Sequence, residues 1–305
     1  MSTTAKLAVR GIRLTAAASP AIGGRLALPL FFSTHPRMRV RADDDATHFA
    51  ARRDMIEVRG HELQTYRWGT GTRAALLMHG WHGRASQFAT LVRDLVSEGF
   101  RVHAFDAPAH GGSSGRRTDA RDWIAAAQLL TRQEGPFDLV VGHSFGAFAA
   151  LAAVRDGVDA PRVVSIAGAG RVDAFHTEFA RTMGLSPAAR SAFESAFYSR
   201  LGLQRAEADA LFDSLAHPLP AGTELLVVHD TGDRALDASN ALALHDAHGA
   251  SSRLLLTRGQ GHNRIFASDE ALDAVLAFAS GGVRAVDAAS IGVAHPARTA
   301  SEMRP

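Results

Sequence analysis

Short apolar runs rich in β-branched residues alternate with longer segments of helical period from about residue 55 onward. The runs lie at 74–79, 101–105, 139–142, 162–166, 224–229 and 253–257. Segments of helical period lie at 86–98, 119–133, 145–154, 236–248 and 268–279. Continuously apolar strands separated by helices are typical of a parallel sheet that is buried on both faces. The pattern therefore predicts an α/β fold, with a mostly parallel sheet covered by helices on both faces.

Two parts of the pattern depart from this alternation. Residues 56–59 and 63–67 alternate apolar and polar residues around Gly60-His61, which predicts an antiparallel hairpin at the start of the sheet. More than fifty residues separate the strands predicted at 162–166 and 224–229. Ser186-Pro187 is a favourable helix start there, and a second helix is predicted at 206–216. We therefore expect a helical insertion at about 171–220.

Composition excludes several classes of function. The chain has 305 residues and a formal net charge of +2, so no bulk field favours nucleic acid. Cysteine is absent, which excludes disulfides, thiolate catalysis and cysteine-ligated zinc, and agrees with a cytoplasmic location. No run of 18 apolar residues occurs, so no membrane span is expected. We predict neither a metal nor a cofactor, and the sequence does not indicate the oligomeric state.

The two ends of the chain are less regular. Residues 1–54 form a basic arm that we expect to pack on the core, although a partner is an alternative. Export through this alanine-rich start is a minor alternative, since Pro20 and Arg25 interrupt its apolar stretches. The α/β domain is expected to span 55–280. Residues 281–305 form a weakly patterned tail whose end is compatible with disorder.

The sequence Gly-His-Ser-Phe-Gly places Ser144 between the strand at 139–142 and the helix at 145–154. A serine on a sharp strand-to-helix turn is exposed as a nucleophile, and the flanking glycines relieve crowding in the strained backbone. The pentapeptide alone is a weak signal, because a serine that merely caps the helix would look the same.

A serine nucleophile needs a histidine base and a carboxylate that orients it. Later strand ends supply both, in the order serine, acid, histidine. His262 follows Gly259-Gln260-Gly261 after the strand at 253–257, and we predict it as the base. Asp230 and Asp233 share the preceding loop. We favour Asp233 as the acid and interpret Asp230 as a loop-stabilising side chain.

Backbone amides that bind an oxyanion are expected at Phe145, directly after the serine, and at Trp81 in the loop His79-Gly80-Trp81. The Trp81 indole is predicted to wall the pocket, and a core-packed tryptophan is the alternative. Residues 106–115 are rich in turn formers, and we interpret them as structural. His110 lies in that segment and precedes the serine, so a proton-transfer role is not expected.

Taken together, these motifs resemble those of the α/β-hydrolase superfamily over residues 55–280. The resemblance implies an eight-stranded, mostly parallel sheet with a helical lid after the sixth strand. It also implies a serine–aspartate–histidine triad at Ser144, Asp233 and His262. The basic arm, with Phe31-Phe32 and His35-Pro36-Arg37, resembles that of a bacterial subgroup with a His-Gly-Trp oxyanion loop.

The predicted function is acyl transfer on an ester-like small molecule, as in a carboxylesterase. Serine at position 144 argues against dehalogenase and epoxide hydrolase chemistry, which in this superfamily uses an aspartate nucleophile. Thioesterase, lactonase, carbon–carbon hydrolase and aminopeptidase activities use the same residues, and a non-enzymatic binding module remains an alternative. Aromatic residues of the insertion are predicted to line an apolar pocket or to form the insertion's own core: Phe175, Phe179, Phe193 and Phe197.

Overall fold

The computed structural model describes residues 3–289 and 291–294. Nine strands form one sheet in the order β1-β2-β4-β3-β5-β6-β7-β8-β9. The strands are β1 Arg52–Val58, β2 His61–Trp68, β3 Arg73–Met78, β4 Phe100–Phe105, β5 Leu139–His143, β6 Arg162–Ile166, β7 Glu224–Asp230, β8 Ser252–Thr257 and β9 Val293–Ala294. Strands β3 to β8 are mutually parallel, and β1, β2 and β9 pair antiparallel. The predicted eight-stranded, mostly parallel sheet is confirmed, with a two-residue ninth strand at one edge.

Twelve α-helices connect or flank these strands within the described residues. They are α1 Thr3–Ala18, α2 Pro20–Phe31, α3 Asp45–Ala50, α4 Ala89–Ser97, α5 Ala120–Glu134, α6 Phe145–Arg155, α7 Val172–Met183, α8 Pro187–Leu201, α9 Arg205–Phe212, α10 Ser239–His248, α11 Gly261–Arg264 and α12 Asp269–Ala288. Four short 3₁₀ segments lie at Ala42–Asp44, Ala85–Phe88, Gly249–Ser251 and Ile265–Ala267.

The described chain divides into two compact units. The sheet unit comprises residues 34–170 and 214–294, and the helical unit comprises residues 3–33 and 171–213. The sequence did not predict that the first two helices would share a unit with the insertion. The sequence analysis assigned residues 1–54 to one arm that packs on the core. The apolar pattern of α2 does not indicate which residues this helix contacts.

Apolar strand residues build the core of the sheet unit, as the continuous runs predict. Leu76, Leu77, Val140, Val141 and Leu226 are fully buried. Helices α4, α5, α6 and α12 contribute buried aromatic and aliphatic side chains, among them Trp123 and Phe278. This packing fixes the carboxyl ends of the strands, where the candidate site lies.

The helical unit has an aromatic core of its own. Phe31 of α2 contacts Phe179, Phe193 and Phe197 edge-to-face, with ring centroids 5.1 to 5.7 Å apart. Arg13 of α1 donates hydrogen bonds to the carbonyls of Thr182 and Met183 at the end of α7. The first two helices therefore complete the packing of the insertion.

Two element ends differ from the predicted ones. Helix α9 ends at Phe212, four residues earlier than expected, because Asp213 is extended and Ser214 N–H donates to the carbonyl of Gly170. Helix α12 is interrupted at Gly281 and Gly282 and then continues to Ala288, and β9 pairs with β8. Residues 295–305 of the predicted tail lie outside the described residues.

Candidate active site

Ser144 lies on the turn between β5 and α6 with an unusual backbone conformation. Its φ is 55° and its ψ is −121°, a region that residues other than glycine rarely adopt. The turn is held by a hydrogen bond from Ser144 N–H to the carbonyl of Ile166. A Cβ at Gly146 would lie 2.1 Å from the carbonyl oxygen of Met78, and one at Gly142 would lie 2.3 Å from Ala147 Cα. Both glycines are therefore required for α6 to begin this close to β3 and β5.

His262 connects Ser144 to Asp233. Its Nε2 lies 2.8 Å from Ser144 Oγ, and its Nδ1 lies 2.7 Å from Asp233 Oδ2. An ionised carboxylate only accepts hydrogen bonds, so Nδ1 carries the proton and Nε2 accepts from the serine hydroxyl. Ser144 and Asp233 lie on the turns after β5 and β7, and His262 lies on the short helix α11 after β8. The structure thus brings the predicted nucleophile, base and acid into one hydrogen-bonded chain.

The carboxylate of Asp233 is buried and accepts hydrogen bonds from neighbouring protein groups. Its Oδ1 accepts hydrogen bonds from the N–H groups of Ala235 at 2.7 Å and Leu236 at 3.1 Å. Burial alone would raise the pKa of Asp233, but the contact with His262 and the two amides outweigh it and hold that pKa below its usual value. The residue facing His262 is therefore an ionised carboxylate.

Asp230 has a different position from Asp233, although both follow β7. Its Oδ1 accepts from Gly232 N–H, and its Oδ2 accepts from Thr257 Oγ1–H and Gln260 N–H. Burial acts to raise the pKa of Asp230, but these hydrogen bonds outweigh it, so the pKa is lowered. One fully buried carboxylate thus joins the loop of Asp233 to the loop of His262, in agreement with the loop-stabilising interpretation.

His143 is a functional candidate that the sequence analysis missed. Its ring is buried, and Nε2 lies 2.8 Å from the backbone carbonyl oxygen of His262. Burial, with the nearby His262, lowers the pKa of His143 to about 3, so the ring is neutral and Nε2–H donates this bond. The position directly before Ser144 was its only sequence signal, and it gives no indication of a contact 119 residues away.

The loop His79-Gly80-Trp81 lies beside the serine. A Cβ at Gly80 would approach Ser144 Cβ to 2.9 Å, so this backbone runs directly past the side chain. Trp123 Nε1–H donates to the carbonyl of His79 at 2.9 Å, and His79 Nδ1–H donates to the carbonyl of Gly80 at 2.8 Å. The buried groups therefore fix the course of the loop.

The Trp81 indole is half-buried in an aromatic cluster. It stacks on Trp123 with centroids 5.8 Å apart and meets Phe145 edge-on at 5.1 Å. Phe145 is the first residue of α6 and also contacts Trp123. The two residues predicted to supply oxyanion-binding amides are therefore in contact with each other next to Ser144.

Residues 106–115 form hydrogen bonds that stabilise the loop containing Trp81. Asp106 is fully buried and accepts hydrogen bonds from Ala85 N–H, Gly112 N–H and the Tyr66 hydroxyl. His110 uses both ring nitrogens, since Nδ1–H donates to the carbonyl of Pro108 and Nε2 accepts from His82 N–H. Burial lowers the pKa of His110 to about 3. These contacts agree with the structural interpretation of the segment.

The phenylalanines predicted for a pocket all lie in the helical unit. Phe193 and Phe197 are buried, Phe179 packs on Phe193 at 5.1 Å, and Phe175 on α7 is half-buried. Three of the four, Phe179, Phe193 and Phe197, thus belong to the aromatic core of that unit. Their predicted contact with a substrate stays a prediction.

One group of described side chains has the composition of a metal site. Asp173, His176 and Glu194 of the helical unit offer ligand atoms within 4.8 Å of one another. Arg190 already forms ion pairs with both carboxylates, at 2.7 Å to Asp173 and 2.6 Å to Glu194. The charges of the two acids are therefore engaged by an arginine, and we assign no metal to this group.

Comparison with known proteins decides the family. The model of the alpha/beta hydrolase family matches residues 75–301. The chain belongs to the α/β hydrolase family. The fold predicted from the resemblance is thereby confirmed, and a hydrolase is the class of enzyme to which the family points.

Individual relatives of this α/β hydrolase are distant. A non-heme haloperoxidase of Rhodococcus erythropolis is 34% identical over 116 residues, which cover 37% of this chain and 38% of the relative. Alpha/beta hydrolase domain-containing protein 10 from mouse superposes with a TM-score of 0.60 at 17% identity, over 79% of this chain and 100% of that one. An esterase of Pyrococcus furiosus superposes with a TM-score of 0.56 at 17% identity, over 75% and 88%. These structures show the shared fold.

Among the described residues, no helix has the length and apolar character needed to cross a membrane.

Proposed function

We propose that this α/β hydrolase cleaves esters by a serine nucleophile, as a carboxylesterase acting on small to medium, partly apolar substrates. The observation that carries the proposal is the hydrogen-bonded chain from Ser144 through His262 to Asp233. A serine hydroxyl becomes a competent nucleophile when a neighbouring imidazole accepts its proton. The strained backbone of Ser144 supports the same role, because strain of this kind is found mainly at functional sites.

The proposed reaction has two halves. As Ser144 Oγ attacks the carbonyl carbon, its proton passes to His262 Nε2, and the carbonyl oxygen becomes an oxyanion. His262 then gives the proton to the departing alcohol, leaving an acyl group on Ser144. Water attacks the acyl carbon, again losing a proton to His262, and the acid is released as Oγ recovers that proton. Asp233 stabilises the imidazolium form of His262 in both halves.

We assign the oxyanion to the backbone N–H groups of Phe145 and Trp81. Phe145 follows the nucleophile at the start of α6, where the helix dipole favours negative charge. The loop that carries Trp81 passes within van der Waals distance of Ser144 and is fixed by Trp123 and His79. Donors that are already fixed need no reorganisation when charge develops, which is the main advantage of such a site.

Labelling with a fluorophosphonate tests the nucleophile. We expect wild-type protein to be labelled, Ser144→Ala to lose all labelling, and Ser280→Ala, an exposed serine on α12, to be labelled like wild type. A series of p-nitrophenyl esters of increasing acyl length then measures the preferred substrate size. Folded wild-type protein that is neither labelled nor active on any of these esters would contradict the proposal and favour a binding module.

A further inference from the structure

The first two helices expose an unusual amount of apolar side chain. Eight large apolar side chains are strongly exposed among the described residues, and half of them lie on α1 and α2. Leu7 and Leu14 of α1 are 62% and 64% exposed, and Ile22 and Leu26 of α2 are 55% and 48% exposed. The other four are spread over the rest of the described chain. Exposed apolar residues that are clustered in this way mark an interaction surface more often than scattered ones do.

The exposed residues occupy one face of each helix. Leu7 and Leu14 are seven residues apart, which is two helical turns, and Ile22 and Leu26 are four apart. The opposite faces are used within the helical unit, where Ala16 and Ala27 are buried. One face of each helix therefore packs within the helical unit, and the opposite face exposes apolar side chains to the exterior.

Positive charge accompanies the exposed apolar faces. Lys6, Arg10, Arg13 and Arg25 lie on these two helices, and the first acidic residue of the chain is Asp43. Arg10 follows Leu7 by three residues and Arg25 follows Ile22 by three, so each exposed arginine lies beside an exposed apolar side chain. Arg13 donates hydrogen bonds to carbonyls of α7, whereas Arg10 and Arg25 are exposed beside the apolar side chains of these faces.

We propose that the exposed faces of α1 and α2, defined by Leu7, Leu14, Ile22 and Leu26 with Arg10 and Arg25, bind the surface of an anionic phospholipid bilayer. Helices with apolar residues on one face and arginines beside them lie in the plane of such an interface, with the apolar side chains at the acyl boundary and the cations at the headgroups.

Charge distinguishes this occupant from a second copy of the chain. A symmetric dimer through these faces would bring the Arg10 and Arg25 groups of both copies together with no acidic side chain on either helix to balance them. Anionic headgroups neutralise the same arginines. Neither helix spans the bilayer, since neither meets the length and hydropathy of a spanning segment. The proposal is independent of the esterase activity, because it uses none of the residues of the candidate active site.

Co-sedimentation of the full chain with vesicles tests the proposal. The vesicles are phosphatidylcholine alone or phosphatidylcholine with 30 mol% phosphatidylglycerol, at low and at high salt. We expect wild-type protein to bind the anionic vesicles and to be released by salt. The paired variants Leu7→Asp/Leu14→Asp and Ile22→Asp/Leu26→Asp should each lower the partition coefficient by roughly 30-fold or more. Arg10→Gln/Arg25→Gln should lower it by roughly tenfold.

Matched controls come from the sheet unit. Leu242→Asp changes a similarly exposed leucine on α10, and Arg116→Gln/Arg132→Gln removes two exposed arginines. Both should bind anionic vesicles like wild type. Far-ultraviolet circular dichroism and thermal melting check that every variant is folded. If the aspartate pairs fail to fold, Leu7→Ala/Leu14→Ala serves instead, with a smaller loss of binding expected.

Three results would overturn the proposal. The first is folded wild-type protein that does not bind phosphatidylglycerol vesicles at low salt. The second is binding that the α1 and α2 variants do not reduce relative to the controls. The third is self-association in sedimentation velocity that Leu7→Asp/Leu14→Asp abolishes while vesicle binding is absent, which would identify a second copy of the chain as the occupant.

Discussion

Replacing Asp233 with asparagine should disable the proposed base without changing the shape of the site. The position of Asp233 Oδ1 receives two N–H donors, from Ala235 and Leu236. An asparagine must therefore keep its carbonyl oxygen there and place its NH₂ group at the position of Oδ2, which is 2.7 Å from His262 Nδ1. That NH₂ group donates to Nδ1, so the imidazole proton moves to Nε2 and Nε2 no longer accepts a proton from Ser144.

The magnitude follows from the cost of restoring the correct tautomer. Turning the amide over would leave the N–H of buried Leu236 without an acceptor, at about 1 to 3 kcal/mol, whereas the exposed Ala235 N–H can bind water instead. That cost corresponds to a roughly 5-fold to 150-fold decrease in the competent form. The charge that stabilises the imidazolium is lost as well. We expect kcat/KM on a p-nitrophenyl ester to decrease on the order of 10³-fold to 10⁴-fold, with a melting temperature close to that of wild type.

The control is Asp237→Asn. Asp237 lies a few residues further along the chain, is exposed, and accepts a hydrogen bond from Ser239 N–H. It should retain activity within about twofold, because the exposed side chain does not contact His262. If Asp233→Asn retains a tenth or more of wild-type activity, the tautomer argument is wrong. If a folded Asp230→Asn variant is the more severely affected of the two, the acid has to be reassigned to Asp230.

Three further predictions concern stability. Asp230→Ala should lower the free energy of unfolding by about 2 to 4 kcal/mol in urea titrations, because it removes the carboxylate that accepts hydrogen bonds from Gly232, Thr257 and Gln260. An unchanged urea midpoint would refute this prediction. Gly146→Ala should cost about 1 to 3 kcal/mol or give insoluble protein, because its Cβ overlaps a β3 carbonyl, and a stable, active variant would contradict it. His110 has a pKa of about 3 in the folded chain against 6.5 unfolded, so its contribution is full above pH 6.5 and falls as pH decreases. His110→Gln should therefore flatten the decrease in stability between pH 6 and 4 by up to about 1.4 kcal/mol per pH unit, and an unchanged slope in urea unfolding would show the folded ring to be protonated.

Much of the sheet unit was predictable because its signals are local. The apolar runs at 139–142 and 162–166 match β5 and β6 to within one residue, and the hairpin before them is present. Continuous apolar runs have few alternatives to a buried parallel strand, and the strand ends then place the loops of Ser144, Asp233 and His262 at one edge. The order of these residues along the chain was therefore enough to expect their proximity.

The contacts that position those residues were not predictable in the same way. His143 donates a hydrogen bond to the carbonyl of His262, which is 119 residues later in the chain. A histidine next to a serine is a common sequence feature and does not indicate such a contact. The role of Asp230 was inferred only as loop stabilisation, and the sequence did not indicate that it joins two loops. Such contacts depend on tertiary geometry, which leaves no periodic pattern in either partner.

The helical unit shows why pattern alone also fails at the level of architecture. Phe193 and Phe197 recur at helical spacing, which predicts an apolar face on α8 but not the residue that covers it. The cover includes Phe31, more than 160 positions earlier, and α2 carries Pro29 and two adjacent glycines that weaken its helical signal. Phe31, Ala16 and Ala27 are used inside the helical unit, whereas Leu7, Leu14, Ile22 and Leu26 are exposed. The association of these four residues with the exposed Arg10 and Arg25 is the reason for proposing a bilayer surface as the target of the first two helices.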